Sequence, residues 1–140
     1  MNDTLFRGFT QDAARSAKEQ YRLLLGVVLI VEAAAGAALL FWPDGVARLL
    51  LPDATEGVAG LRIAGLFWLL VTVLLLTGRG EPARAKVPNL LGLVGRTALG
   101  VLLVLLAGRL LWVGVVEIVA ALGLAQLYFR YFEAEVMSRP

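Results

Sequence analysis

Apolar residues fill four stretches of the chain, residues 23–42, 58–77, 90–107 and 110–131, and turn-forming residues separate them. Each stretch approaches the roughly 20 residues that a helix needs to cross a bilayer. The breaks carry helix-stopping chemistry. Trp42-Pro43-Asp44-Gly45 closes the first stretch with an interface aromatic and helix stoppers, and Pro52-Asp53-Ala54-Thr55-Glu56-Gly57 opens the second. Between these breaks, residues 46–51 form a short apolar piece expected at the membrane interface. Gly78-Arg79-Gly80-Glu81-Pro82 through Pro88-Asn89 is a polar loop between the second and third stretches. Gly108-Arg109 alone joins the third to the fourth, which predicts adjacent, antiparallel helices.

The pattern predicts an all-α fold, a membrane-embedded up-down four-helix bundle over residues 23–132. Ahead of it, Phe6, Phe9, Ala13, Ala17 and Tyr21 recur at helical spacing, with Arg7, Asp12, Arg15, Lys18 and Glu19 on other faces. That spacing predicts an amphipathic interfacial helix over residues 1–22, with a solvated tail as the alternative. Residues 133–140 read as a cytoplasmic tail. Ala33-Ala34-Ala35 has the look of a leader-cleavage site, but a long segment of mixed charge precedes the apolar stretch, which runs on to Trp42. A cleaved leader is therefore not expected.

Composition supports the membrane reading and removes most chemistry. Of 140 residues, 59% are hydrophobic and 17% charged, against about 45–50% and 25% in ordinary soluble domains. Four spans leave no room for a second, soluble domain. The chain has no cysteine and no histidine, and its only serines are Ser16 and Ser138. No metal site, cofactor or catalytic residue is expected, since imidazole and thiol ligands are missing and no activated nucleophile is in view.

Orientation follows from the basic residues, because cytoplasmic loops retain lysine and arginine. Arg7, Arg15, Lys18, Arg22, Arg79, Arg84, Lys86, Arg130 and Arg139 fall in the first segment, the middle loop and the tail, whereas the opposite connections hold only Arg48 and Arg109. Both termini are expected in the cytoplasm, in a multi-pass protein of a bacterial inner (plasma) membrane. The net charge of +2 is then a topology signal. The basic residues form no stripe interleaved with aromatics, so nucleic-acid binding is not expected.

Away from its ends, each predicted span carries one charged residue: Glu32, Arg62, Arg96 and Glu117. Four unpaired charges in hydrocarbon would cost on the order of 10 kcal/mol, so they should find one another. A rise of about 1.5 Å per residue places Arg62 near the depth of Glu117 and Arg96 within reach of Glu32. Small residues three or four positions away mark the same faces: Ala35 and Gly36 beside Glu32, Ala59 and Gly65 beside Arg62, Gly92 and Gly100 beside Arg96, Gly114, Ala120 and Ala121 beside Glu117. Small residues let membrane helices approach closely, so the charged faces should also be packing faces. Tyr21, Asn89 and Tyr128 fall on the same stripes and, with mid-span Trp68, are candidate pocket-lining residues.

Three roles suit such a network: a salt-bridge staple, a polar pocket for a proton, cation or amphiphilic small molecule, and a docking face for other membrane subunits. The expected partners are thus the lipid bilayer and either another membrane subunit or an amphiphile. The expected function is non-enzymatic, that of an accessory or ligand-binding membrane component organised around Glu32, Arg62, Arg96 and Glu117.

Two resemblances bear on this reading. The proline after span one, Arg62-Ile63-Ala64-Gly65 in span two, the short basic loop, Gly95-Arg96 in span three and the acid in span four resemble the small bacterial four-helix membrane proteins of the DoxX-like type. Some members of that group are associated with redox complexes, chemistry for which this chain has no cysteine or histidine. Leu25-Gly26, Glu32, Gly36 and Phe67-Trp68-Leu69-Leu70 are similar to the first two helices of small multidrug resistance transporters. That similarity implies a proton-coupled alternative, in which Glu32 exchanges protons for cationic drugs and Trp68 lines the site.

Overall fold

The computed structural model describes the backbone of residues 3–50, 58–82, 84–106 and 111–138, and the side chains of all of these except 3–11, 50, 58, 106 and 138. The described residues form five helices: α1 (Asp3–Phe41), α2 (Pro43–Leu50), α3 (Val58–Gly80), α4 (Lys86–Leu106) and α5 (Leu111–Ser138). Four of them contain segments long and apolar enough to cross a membrane, Asp12–Phe41, Ala59–Gly80, Lys86–Leu105 and Leu111–Met137. Only 28% of the most apolar window is buried inside the fold in α1 and α5, and 17% in α3 and α4. Ile30, Val73, Val94 and Leu122 all point outward. Such a surface suits a membrane or another apolar partner around it.

The expected boundary at residue 22 is absent. α1 runs unbroken for 39 residues, about 58 Å, because no proline or glycine interrupts the good helix formers between Asp12 and Leu25. The amphipathic segment is therefore the first part of α1 rather than a separate surface helix. Phe6 and Phe9 lie outside the described side chains. At the other end of the chain, nothing in Tyr131-Phe132-Glu133-Ala134-Glu135-Val136-Met137 stops a helix, and α5 continues to Ser138 through most of the expected tail. The breaks expected around residues 52–57 and 108–109 also lie outside the described residues.

α1 ends where expected. Trp42 N still donates to Ala38 O at 2.8 Å, and Pro43 then opens α2, where a missing amide costs nothing. Asp44 in the first turn of α2 and Arg48 in the last suit its dipole. α2 covers residues 46–50 of the short apolar piece expected at 46–51 and begins three residues earlier; residue 51 lies outside the described residues. Between α3 and α4, the Arg84 and Ala85 amides donate to Glu81 O at 3.0 and 2.9 Å, and Pro88 sits in the tolerant first turn of α4.

Packing follows the small residues. α1 packs on α3 and on α5, and α5 packs on α4. At the α1–α3 seam, a Cβ added to Gly65 would stand 2.7 Å from Gly36 O; at the α4–α5 seam, one added to Gly114 would stand 2.7 Å from Gly100 O. Each crossing thus requires glycine on both helices. The α1–α5 seam is filled instead by Tyr21, Leu25 and Leu29 against Leu124 and Tyr128. Helices α3 and α4, though consecutive, touch only loosely, and a groove opens between them.

Polar contacts gather the basic segments at one end of the fold. Lys18 Nζ lies 3.4 Å from Glu81, Arg79 Nε donates to Arg22 O at 3.2 Å, and Lys86 Nζ lies 5.0 Å from the Phe132 ring centroid. The first part of α1, the loop after α3 and the last part of α5 therefore share that end.

Candidate functional site

Three of the four charged residues singled out in the sequence meet inside the fold. Glu32 of α1, Arg96 of α4 and Glu117 of α5 are 7%, 5% and 9% exposed. Arg96 Nη2 donates to Glu32 Oε2 at 2.8 Å and Nη1 donates to Glu32 Oε1, a two-pronged guanidinium–carboxylate grip. On its other side, Arg96 Nη1 stands 3.6 Å from Glu117 Oε2. That separation is an ion pair but too long for a hydrogen bond. Glu117 Oε2 is buried and receives no hydrogen bond.

Helix packing explains why one arginine serves two acids. α1 and α4 are both held against α5, and neither packs closely on the other. The long Arg96 side chain spans the space that their backbones leave. Gly100 and Gly114 bring α4 close to α5 one helical turn beyond Arg96 and one before Glu117, which sets the two charged groups side by side.

Arg62 does not join them. It is exposed on α3 and pairs with no acid among the described residues, so the expected Arg62–Glu117 pair is replaced by Arg96–Glu117. Depth alone placed Arg62 opposite Glu117, but depth says nothing of direction around the helix. Of the two small neighbours used to assign its face, only Gly65 lies in a seam; Ala59 is exposed.

The candidate pocket-lining residues divide in the same way. Trp68, half-buried, lines the α3–α4 groove together with Glu32, Arg96 and Glu117. Tyr21 and Tyr128 do not line it: they are buried against each other in the α1–α5 seam, ring centroids 5.5 Å apart, and serve as core. Asn89 is a structural tie, its Nδ2 donating to Gly78 O at 3.3 Å and to Pro82 O at 3.2 Å, which satisfies carbonyls at the end of α3 and in the turn. The buried polar side chain of α3, Thr72, donates back to Trp68 O at 2.9 Å within its own helix.

The groove has a volume of about 630 Å³. Phe67, Trp68 and Val71 of α3 line one side, Leu91, Gly95 and Leu99 of α4 the other, and the three charged residues complete the lining. Gly95 leaves space here, since a Cβ added to it would meet nothing within 4 Å. Sequence reasoning missed Gly95 and Phe67 as site residues. The signal was present in Gly92-x-x-Gly95, but a small-residue face reads equally well as a helix seam. This size and apolar lining, with a few convergent polar groups, are those of a small-molecule site. The chain matches no protein-family model, no curated protein and no solved structure with which it was compared.

Proposed function

We propose that the protein is a non-enzymatic membrane component that holds a small amphiphilic molecule in the groove between α3 and α4. The observation that carries this reading is the juxtaposition of a buried Glu32–Arg96–Glu117 cluster with an apolar groove of about 630 Å³ between two consecutive helices. Ionisable groups within apolar spans are functional-site candidates by default. In this reading the four apolar helices form an up-down bundle in a bacterial inner membrane. The end that gathers Lys18, Arg22, Arg79, Arg84 and Lys86 faces the cytoplasm. The groove then opens sideways, toward lipid, and an amphiphile could enter from the bilayer. Kinship with the DoxX-like group is proposed on the sequence features alone.

A transporter built on Glu32 has less support, because both Glu32 oxygens are engaged by Arg96. The docking of another membrane subunit into the same groove is the competing accessory role. Purification in native-membrane nanodiscs, followed by mass spectrometry of bound small molecules, separates the two. The proposal expects a small molecule bound to wild type at near-stoichiometric level and lost in Gly95→Trp, which fills the groove. Equal recovery from both proteins, or a copurifying membrane protein lost in Gly95→Trp in place of a small molecule, contradicts it.

A further inference from the structure

We infer that the occupant of the groove is a single-chain amine carrying one positive charge and at least one N–H, which it donates to Glu117. This rests on the ligand-binding reading above and specifies its ligand. Two carboxylates flank one guanidinium, so the ionised cluster has a formal charge of minus one. An uncompensated charge in apolar surroundings is costly, and the site is most stable when a positive group enters it.

The geometry places that group at Glu117. Arg96 engages both oxygens of Glu32 but approaches Glu117 Oε2 no nearer than 3.6 Å. Glu117 is 9% exposed, lines the groove and has Oε2 without a hydrogen-bond donor. An ammonium N–H supplies both the missing charge and the missing hydrogen bond. A trimethylammonium supplies charge without a donor, and an alcohol a donor without charge. An anionic amphiphile would add a second uncompensated negative charge. A phosphatidylethanolamine head brings its own phosphate and leaves the balance unchanged. The walls of Phe67, Trp68, Val71, Leu91 and Leu99 suit one alkyl chain.

The test titrates four probes of equal chain length, dodecylamine, dodecyltrimethylammonium, dodecanol and dodecyl sulfate, into the full-length protein in phosphatidylcholine nanodiscs by calorimetry. Empty nanodiscs supply the partitioning blank. Dodecylamine should bind saturably, about ten-fold or more tighter than dodecyltrimethylammonium or dodecanol, with dodecyl sulfate not binding. Glu117→Gln should erase that preference, and Gly95→Leu should abolish binding. If the trimethylammonium or the alcohol binds wild type as tightly as the amine does, and Gly95→Leu still abolishes it, the amine assignment falls while the groove reading stands. If no probe binds wild type saturably, or Gly95→Leu changes nothing, both fall. The comparison of probes on wild type decides the inference even if Glu117→Gln does not fold.

Discussion

Arg96 of α4 grips Glu32 of α1 through both carboxylate oxygens, across a space that the two helix backbones leave open. The pair links α1 to α4, two helices that do not pack closely on each other and are both held by α5. Because Glu32 and Arg96 also line the groove, the contact that ties α1 to α4 is part of the candidate binding site.

Removing Arg96 should therefore damage the fold more than removing any one acid. Arg96→Met leaves Glu32 and Glu117 buried without a cation and should cost about 3–5 kcal/mol, read by denaturant unfolding in micelles. The triple change Arg96→Met, Glu32→Gln and Glu117→Gln should recover most of that loss. A triple variant no more stable than Arg96→Met would show that charge is not what the cluster resolves.

Arg62 should be dispensable. Its guanidinium is exposed on α3 and meets no acid among the described residues, so Arg62→Leu should change stability by no more than about 0.5 kcal/mol in the same assay. A loss comparable to that of Arg96→Met would return Arg62 to the interior.

The glycine seams give a sharp internal contrast. Gly65→Ala and Gly114→Ala each place a methyl 2.7 Å from a facing carbonyl oxygen and should cost about 1–3 kcal/mol, since both partners are backbone and cannot yield. Gly95→Ala meets nothing within 4 Å and should instead gain up to about 1 kcal/mol in helix propensity. Equal effects at the three positions would contradict the packing described.

Asn89 should matter to the turn alone. Asn89→Leu strands the Gly78 and Pro82 carbonyls and should cost about 1–3 kcal/mol while speeding proteolysis between α3 and α4. Ligand affinity in the groove should not change, since Asn89 does not line it.

Much of this was legible in the sequence. Hydropathy located all four long apolar helices, and Trp42-Pro43 fixed the end of α1. The Arg96–Glu32 pair followed from depth and from the small residues around each charge. Neighbour order was not legible, because periodicity gives direction around one helix and depth gives position along it, but neither says which helix stands opposite. Hence Glu117 was matched by depth to Arg62 when Arg96, held by α5 and reaching toward α1, serves both acids. For the same reason Tyr21 and Tyr128, assigned to a pocket by their stripe, are core of the α1–α5 seam. The groove escaped notice because nothing in periodicity or depth shows that α3 and α4, consecutive in the chain, touch only loosely.

The most direct measurement is a pair of double-mutant cycles that ask which arginine Glu117 feels. Unfolding free energies of Arg96→Met, Arg62→Met and Glu117→Gln, singly and in the two arginine–glutamate combinations, give the two coupling energies. The shared-arginine arrangement predicts a coupling of about 0.5–3 kcal/mol between Arg96 and Glu117 and additivity within about 0.5 kcal/mol between Arg62 and Glu117. Coupling of Glu117 to Arg62, with none to Arg96, would contradict it.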